Sequence, residues 1–252
     1  MIKVDQLKFG YGDGNVLESV SLSVKKGKFV CVIGPNGSGK TTLIKNICKL
    51  LKPSSGSIYI SGLNILKFKQ KDFAKRVAVV HQGSNSAFDF NVEEAVLMGR
   101  YPHLKRFQNE SARDRDIALD ALRQTDTLHL KDKSLHTISG GERQRVMIAK
   151  ALAQEPELLI LDEPISNLDI KYQVEILKLC QKLNQTKGIT IFMTLHDINL
   201  ASRFADEVVM MKNGKISQVG NPVDVITEDN IKYVYDVDVK VQKSPFPMVI
   251  PV

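Results

Sequence analysis

The sequence predicts an α/β fold whose core is a parallel sheet covered on both faces. Short continuous apolar runs recur along the chain and alternate with helical patterns, which is typical of this fold class. The N-terminal stretch instead alternates apolar and polar side chains, and the middle of the chain has no strand-like run. We therefore expect a core that is preceded by an antiparallel β subdomain and interrupted by an inserted α-helical subdomain.

The antiparallel layer is predicted from residues 2–9 and 20–24, where apolar positions alternate as at Ile2 and Val4. Five continuous apolar runs predict the core strands: residues 29–33, 77–80, 158–161, 189–193 and 208–211. Apolar residues at helical spacing follow the first run, from Leu43 to Leu51, and precede the fourth run, from Val174 to Leu183. Strand and helix therefore alternate through the core.

Residues 84–156 depart from this alternation, because their patterns are helical over 92–98, 112–125 and 141–154. We interpret them as the helical insertion. Residues 221–252 form a small C-terminal appendix, with a short helix capped near Thr227 and a strand around 237–241. No Pro/Gly/Ser-rich linker divides the chain, so residues 1–252 are expected to form one domain.

Size and composition fit a globular protein. The 252 residues are 43% hydrophobic, which is enough to bury a sizeable core. No apolar run approaches the ~18 residues of a membrane span, and the N-terminus lacks a signal-peptide pattern, so a cytosolic chain is expected. The net charge of +7 is spread along the chain and identifies no partner by itself. The three cysteines are scattered, which favours apolar packing over a disulfide or zinc site.

A phosphate-binding loop directly follows the first core strand. The segment fits the pattern G-x-x-x-x-G-K-[ST] and opens a helix, as that motif requires. Its residues are Gly34, Pro35, Asn36, Gly37, Ser38, Gly39, Lys40 and Thr41, followed by Thr42. The glycines allow backbone amides to surround phosphate oxygens, Lys40 reaches the β and γ phosphates, and the Thr41 hydroxyl ligates Mg²⁺. The loop predicts ATP and Mg²⁺ as cofactors.

Two carboxylates end the strand at 158–161. Asp162 is expected to hold Mg²⁺, and Glu163 is expected to orient or deprotonate the attacking water. A strand that ends in Asp-Glu is common by itself, but beside the loop it supplies what ATP hydrolysis still needs.

A capped helix start lies shortly before these carboxylates. Ser139 and Glu142 form an S-x-x-E capping box around Gly140 and Gly141. Each glycine in a first helical turn costs about 1 kcal/mol relative to alanine. The simple interpretation is a well-capped helix, but the glycines favour a group that approaches the backbone closely, and an anion suits a helix N-terminus.

The sequence here resembles the ABC ATPase family, whose signature is usually LSGGQ and reads ISGGE at residues 138–142 of this chain. Nearly the whole chain is covered by the resemblance, which implies the ABC ATPase fold. It also implies a head-to-tail homodimer with two ATP molecules at the interface, each bound by the loop of one copy and the signature of the other.

Further positions match the family in order along the chain. The resemblance implies that Tyr11 stacks on adenine with Val16 beside it, and that Gln82 senses Mg²⁺ and the permease. Asp169 corresponds to the loop that crosses the dimer, and His196 to the histidine that contacts the γ-phosphate. Taken alone, Gln82 would be a surface residue and His196 a structural one.

A final segment narrows the transport class. Residues 98–103 resemble the G-R-x-P-H segment of ATPases that serve iron-siderophore, haem and cobalamin importers. Gly99 and Pro102 are expected to turn the chain and expose Arg100 and His103 to a partner, although a plain interhelical turn is the alternative. The resemblance implies a ferric siderophore importer, with haem or cobalamin as alternative cargoes. Its partners would be transmembrane permease subunits and, indirectly, an extracellular or periplasmic substrate-binding protein, with the ATPase peripheral at the cytoplasmic face of the membrane.

The sequence disfavours two rival classes of protein. A soluble ABC ATPase that acts on nucleic acid or ribosomes usually has two cassettes or a long coiled-coil insertion, which this chain lacks. A regulatory binding module without hydrolysis is disfavoured by the presence of Lys40, Asp162, Glu163 and His196. We therefore expect an ATPase with no nucleic-acid partner.

Overall fold

The computed structural model describes residues 1–12, 14–81 and 90–252. The described strands are β1 (Ile2–Tyr11), β2 (Gly14–Val24), β3 (Phe29–Ile33), β4 (Ser55–Ile60), β5 (Leu63–Asn64), β6 (Val77–Val80), β7 (Leu158–Asp162), β8 (Thr190–Thr194), β9 (Glu207–Lys212), β10 (Lys215–Gly220), β11 (Val239–Gln242) and β12 (Met248–Pro251). The described α-helices are α1 (Lys40–Ile47), α2 (Gln70–Ala74), α3 (Val92–Leu97), α4 (Ala112–Gln124), α5 (Gly140–Ala153), α6 (Ile170–Lys187), α7 (Ile198–Phe204), α8 (Pro222–Val225) and α9 (Glu228–Tyr235).

A six-stranded sheet forms the core, in the order β10-β9-β3-β8-β7-β6. The five strands β3 and β6 to β9 run parallel, and β10 pairs antiparallel with β9. Every residue of β3, β7 and β8 is buried, because helices or the second sheet cover both faces. The predicted parallel core is therefore confirmed, and the adjacent carboxyl ends of β3, β8 and β7 meet at one edge.

The second sheet is antiparallel, in the order β2-β1-β4-β5. It confirms the predicted N-terminal β subdomain, although β4 and β5 were not predicted. One apolar cluster joins this sheet to α1 and to one face of the core sheet, with Leu43, Ile44 and Ile47 fully buried in it. The start of α1 is thereby fixed between the two sheets.

The helical insertion lies between β6 and β7, where the described residues contain α3, α4 and α5 and no strand. Its helices agree with the predicted helical stretches. The boundaries 84 and 156 stay predictions, and residue 84 itself lies outside the described ranges.

The G-R-Y-P-H segment contradicts the expectation that Arg100 is presented to a partner. Arg100 is only 5% exposed. Its Nε donates to Oδ1 of Asp114 at 3.0 Å, and its Nη1 donates to the Ala153 carbonyl at 2.6 Å and to Oε2 of Glu155 at 2.8 Å. Arg100 therefore ties the end of α5 to the first turn of α4.

The neighbours of Arg100 pack against the same helix end. A Cβ at Gly99 would lie 2.2 Å from the Lys150 carbonyl oxygen, so only glycine fits there. The Nε2 atom of His103 lies 3.0 Å from the carbonyl oxygen of Gln154. The segment forms a 3₁₀ helix over Met98–His103 that connects α3 to the residues before α4, so the alternative interpretation as an interhelical connection describes it better than a surface presented to a partner.

The C-terminal residues pack on the core beside α7. Thr227 caps α9 by accepting a hydrogen bond from the Asn230 amide, as predicted, and β11 lies close to the predicted strand. Helix α8 and strand β12 were not predicted. The Asn199 side chain of α7 donates to the Val249 carbonyl at 3.2 Å and accepts from the Val249 amide at 2.7 Å. The C-terminal hairpin is thereby attached to α7.

Within the part of the chain that the structure describes, no helix has the length and apolar character needed to cross a membrane. The three cysteines are buried and free, in agreement with a packing role. Burial raises the pKa of the Cys48 and Cys180 thiols to about 12.

Candidate functional site

The phosphate loop leaves the buried end of β3 and closes on the first residue of α1. Gly37 and Gly39 hold left-handed φ angles of 76° and 100°. A Cβ at Gly34 would lie 2.2 Å from the Met211 carbonyl oxygen, and one at Gly39 would lie 2.8 Å from Leu17 Cδ2. Glycine is therefore required both for the backbone turn and for its close packing against the two sheets.

Lys40 points into this loop. Its side chain is nearly buried, and its Nζ donates to the carbonyl oxygens of Gly34 at 2.8 Å and Pro35 at 3.0 Å. Burial lowers the pKa of Lys40, while the nearby carboxylates of Glu163 and Asp162 act in the opposite direction. A cationic group is thus held at the loop, where a phosphate oxygen can reach it.

Ser38 gives an independent indication of a ligand. Its side chain is 2% exposed, and its hydroxyl oxygen has no hydrogen-bond partner. A buried unpaired hydroxyl costs about 1–3 kcal/mol, so a phosphate oxygen in the loop would satisfy a group that the protein leaves unpaired. The loop residues therefore fit a bound polyphosphate.

Asp162 lies at the end of β7, opposite the loop. The Thr41 hydroxyl lies 3.4 Å from Asp162 Oδ1, and the Thr194 hydroxyl donates to the same oxygen at 2.8 Å. The Thr194 hydroxyl also accepts from the Glu163 amide at 2.9 Å. A hydroxyl and a carboxylate side by side are the oxygen ligands that Mg²⁺ prefers, so this pair fits the implied ion.

Thr194 is a site residue that sequence reasoning missed. It is the last residue of β8 and pairs in register with Asp162 of β7. The sequence feature that could have indicated Thr194 is its position at the polar end of a buried strand, two residues before His196.

Glu163 and His196 form the other half of this edge. Nε2 of His196 lies 2.6 Å from Oε1 of Glu163, with side-chain exposures of 47% and 15%. Glu163 has a left-handed φ of 50°, and its carbonyl oxygen accepts from the Ser166 hydroxyl at 2.9 Å. The backbone is thus turned so that the carboxylate faces the histidine.

The predicted capping box at the start of α5 is present. The Glu142 amide donates to the Ser139 hydroxyl at 3.3 Å, and the Ser139 amide donates to Oε2 of Glu142 at 2.8 Å. Hydrogen bonding of the Glu142 carboxylate to the Ser139 backbone amide, most of all, and to the Ser139 side chain lowers the pKa of Glu142. Ser139 and Gly140 are exposed, so the first turn of the helix is open to a second molecule.

Gly141 corrects part of the sequence argument. A Cβ at Gly141 would lie 2.4 Å from Cδ1 of Tyr172, so the space beside this glycine is filled by a ring of the same chain. Gly140 has more room, with Leu168 Cδ2 at 3.4 Å from the same constructed position. Tyr172 lies 31 positions beyond Gly141, so no local sequence pattern indicates this contact.

The remaining candidates lie at the borders of the site. Tyr11 is 57% exposed and its ring stands edge-on to Phe9 at 5.0 Å between centroids. The Val16 carbonyl oxygen lies 3.2 Å from a Cβ built at Gly39, so the β1–β2 hairpin abuts the loop. Asp169 is exposed at the N-cap of α6, without a side-chain capping bond. Gln82 lies outside the described residues.

The structure therefore brings the phosphate loop, Asp162, Glu163 and His196 to one edge of the core sheet. In the described ranges, no hydrogen bond or ion pair links this edge to residues 138–142. A glycine-rich loop with an inward lysine, beside a strand that ends in two carboxylates, defines a P-loop ATPase.

The comparisons with known proteins agree with this class and make it specific. The family profile described as ABC transporter matches residues 17–166, so the chain belongs to the ABC transporter family, as an ATP-binding cassette with ATPase activity. The iron(3+)-hydroxamate import ATP-binding protein of Bacillus subtilis (strain 168) is 38% identical over 97% of this chain and 91% of its own length.

Solved structures show the same fold over almost the whole chain. An ABC transporter in an inward-facing conformation has a TM-score of 0.88 at 28% identity, and the match covers 100% of this chain and 97% of that one. A dimeric post-hydrolysis state of an ATP-binding cassette bound to ADP and phosphate has a TM-score of 0.75 at 30% identity, over 88% and 98% of the two chains. Nucleotide binding is thus a property of the family to which the chain belongs.

Proposed function

We propose that this chain is the ATP-hydrolysing subunit of an importer for ferric siderophores of the hydroxamate kind. The observation that supports it best is the edge where Lys40, Asp162, Glu163 and His196 converge. The cargo is taken from the iron(3+)-hydroxamate relative, whose length this chain spans almost completely. Haem and cobalamin are the alternative cargoes.

The phosphate loop binds the triphosphate. Lys40 and the backbone amides of the loop neutralise and orient the β and γ phosphates, and the unpaired Ser38 hydroxyl donates to a phosphate oxygen. The exposed ring of Tyr11 stacks on adenine, with Val16 beside it. Lys40 exchanges its bonds to the loop carbonyls for bonds to phosphate.

Thr41 and Asp162 hold Mg²⁺, with Gln82 as a further ligand. The ion supplies neutralisation of the charge that develops on the transferred phosphoryl group. Thr194 keeps Asp162 in place through its 2.8 Å hydrogen bond. Because the same hydroxyl accepts from the Glu163 amide, Thr194 also fixes the first turn after β7.

Glu163 acts on the attacking water. Its carboxylate accepts a proton from the water as the oxygen attacks the γ-phosphorus, and the bond to the bridging oxygen of ADP breaks. His196 orients Glu163 and donates to a γ-phosphate oxygen when the nucleotide is present. Their 2.6 Å contact holds both side chains at the place where the γ-phosphate is expected.

Two copies act together as a head-to-tail homodimer. Ser139 and Gly140 are exposed at the first turn of α5, and Asp169 is exposed at the start of α6. A helix N-terminus with free amides binds an anion well, so the turn of one copy suits the γ-phosphate held by the other. Closure on ATP and reopening after hydrolysis are transmitted to the permease near Gln82.

The chain works at the cytoplasmic face of the membrane, as a peripheral subunit attached to two permease subunits. A substrate-binding protein outside the membrane delivers the iron chelate to the permease. The ATPase supplies the free energy and does not touch the cargo.

The proposal is tested by uptake and by hydrolysis together. Loss of this chain should abolish uptake of radiolabelled ferric hydroxamate and leave cobalamin and haem uptake unchanged, and re-expression of the wild type should restore it. The Lys40→Ala variant should bind nucleotide at least tenfold more weakly, whereas Lys45→Ala on the same helix should behave as wild type. Normal hydroxamate uptake without the chain would exclude this cargo, and full nucleotide affinity in Lys40→Ala would exclude the assigned site.

A further inference from the structure

The first turn of α5 rests on the start of α6 in the same chain. A Cβ built on Gly141 would lie 2.4, 2.6 and 3.0 Å from the Cδ1, Cγ and Cε1 atoms of Tyr172. Three ring atoms at these distances mean that the Tyr172 ring lies flat against the backbone of the turn. The Tyr172 ring therefore packs against the turn that carries Ser139.

Two further contacts join α5 to α6 and to the residues just before it. A Cβ on Gly140 would lie 3.4 Å from Leu168 Cδ2, which is ordinary van der Waals contact. One turn further along, Nη1 of Arg145 lies 3.9 Å from Oε2 of Glu175. The contact between α5 and α6 thus extends over two helical turns and begins at the glycine pair.

The segment that leads into α6 starts at Glu163. The Ser166 hydroxyl donates to the Glu163 carbonyl, and Asn167 follows with a left-handed φ of 60°. Leu168, Asp169 and Tyr172 come directly after this bend. In one chain, therefore, a short bent segment connects the carboxylate beside His196 to the ring that supports the Ser139 turn.

We propose that Tyr172 is a positioning residue that holds the Ser139–Gly141 turn in the orientation needed to meet the phosphate of the partner copy. The inference rests on the proposed function of this turn in the dimer. Without the ring, the turn would lose its support at Gly141 and could shift relative to the segment 163–172. A displacement of about 1 Å in a group that orients a reacting substrate can lower the rate a hundredfold.

Tyr172→Ala tests the role, with Tyr172→Phe as the matched control that keeps the ring. Both substitutions are made in the Glu163→Gln background, in which the bound ATP is not hydrolysed. Sedimentation velocity then measures the fraction of dimer at each ATP concentration. We expect Tyr172→Ala to raise the ATP concentration needed for half-dimerisation about tenfold or more, whereas Tyr172→Phe matches its parent. The affinity of the monomer for a fluorescent ATP analogue should be equal in all three, because the phosphate loop is untouched.

A second pair of variants tests the contact itself. Gly141→Ala places a methyl group against the ring and should impair dimerisation. The double variant Gly141→Ala, Tyr172→Ala removes the ring atoms that the methyl group meets, so it should dimerise better than Gly141→Ala alone. If Gly141 were needed only to let a phosphate bound by the partner copy approach the backbone, the double variant would dimerise no better than Gly141→Ala.

The outcomes distinguish this inference from the proposed function. If the Glu163→Gln parent does not dimerise on ATP, the proposed function fails. If the parent dimerises and Tyr172→Ala does so at the same ATP concentration, the inference is overturned. If circular dichroism shows that Tyr172→Ala is unfolded, Tyr172→Leu is used instead. We expect Tyr172→Leu to need the same higher ATP concentration for dimerisation, and dimerisation at the ATP concentration of the parent would overturn the inference.

Discussion

Nε2 of His196 lies 2.6 Å from Oε1 of Glu163, although the two residues are 33 positions apart in sequence. The contact arises because Glu163 follows β7 and His196 follows β8, and these parallel neighbours end in register with Asp162 opposite Thr194. The left-handed φ of Glu163 turns its side chain toward the histidine. The sheet topology and this backbone turn together bring the two groups to the place where the γ-phosphate is expected.

His196→Ala should lower kcat for ATP hydrolysis by roughly two orders of magnitude, because Glu163 would lose the group that orients it. Nucleotide affinity should change little, since Lys40 and the loop are intact. Steady-state hydrolysis and titration with a fluorescent nucleotide measure the two effects. His129→Ala, in the helical insertion, serves as the control, and an unchanged kcat in His196→Ala would contradict the role.

Thr194→Val removes one hydroxyl while it keeps the shape of the side chain. Asp162 would lose a donor and the Glu163 amide would lose its acceptor, at a cost of about 1–3 kcal/mol for a buried unpaired group. We expect kcat to fall about tenfold and the Mg²⁺ concentration for half-maximal rate to rise. Titration of Mg²⁺ at saturating ATP measures both quantities.

Thr190→Val is the matched control for this substitution. Thr190 lies at the opposite end of β8, where its hydroxyl accepts from the Gly27 amide at 2.9 Å. The Thr190→Val substitution should therefore lower stability without changing the dependence of the hydrolysis rate on Mg²⁺ concentration. Equal Mg²⁺ curves for wild type and Thr194→Val would show that the hydroxyl does not support Asp162.

Arg100→Ala should destabilise the helical insertion strongly. It removes one member of a buried ion pair, so Oδ1 of Asp114 and the Ala153 carbonyl oxygen lose the hydrogen bonds that Arg100 donates to them. Breaking a buried pair costs about 3–5 kcal/mol. Urea unfolding measures this loss, and Arg106→Ala, at an exposed position three residues beyond the segment, should change the free energy of unfolding by less than about 0.5 kcal/mol. Similar values for both variants would contradict a structural role of Arg100.

Ionisation of Asp114 makes the stability of the helical insertion depend on pH. Hydrogen bonds from the Ser111 hydroxyl and amide, with Arg100 nearby, lower the pKa of Asp114 from 3.8 to about 2. Because the pKa is lower in the folded state, the stabilisation is complete above about pH 4 and is lost as the pH falls toward 2. The stability difference between wild type and Asp114→Asn, measured by urea unfolding, should therefore shrink over this range. A difference that stays constant with pH would contradict this assignment.

The fold could be predicted from sequence wherever burial left a continuous pattern. The runs 29–33 and 77–80 coincide with β3 and β6, because nearly all of their side chains lie between covered faces. The helical pattern from Leu43 to Leu51 extends beyond α1, which ends at Ile47. Lys49 has a φ of 60° and Leu50 is 57% exposed, so the later leucines belong to the turn that follows.

The site was predictable where its chemistry is local in sequence. The phosphate loop and the capping box are each complete within eight residues, and as predicted the loop opens a helix and the box caps α5. Thr194 and Tyr172 act on residues 31 or more positions away, and only the sheet register and helix packing reveal their contacts. Arg100 was predicted to be exposed because nothing adjacent indicates that Asp114 and Glu155 converge on it.

In the proposed dimer, the triphosphate bound at Lys40 of one copy is also contacted by Ser139 of its partner copy. A crystal structure of Glu163→Gln with ATP and Mg²⁺ would show this contact. We expect the Ser139 hydroxyl and the amides of its turn within about 3 Å of the γ-phosphate oxygens of the nucleotide in the other copy. A structure in which ATP fills the loop while this turn lies far from phosphate in every pairing of copies would contradict it.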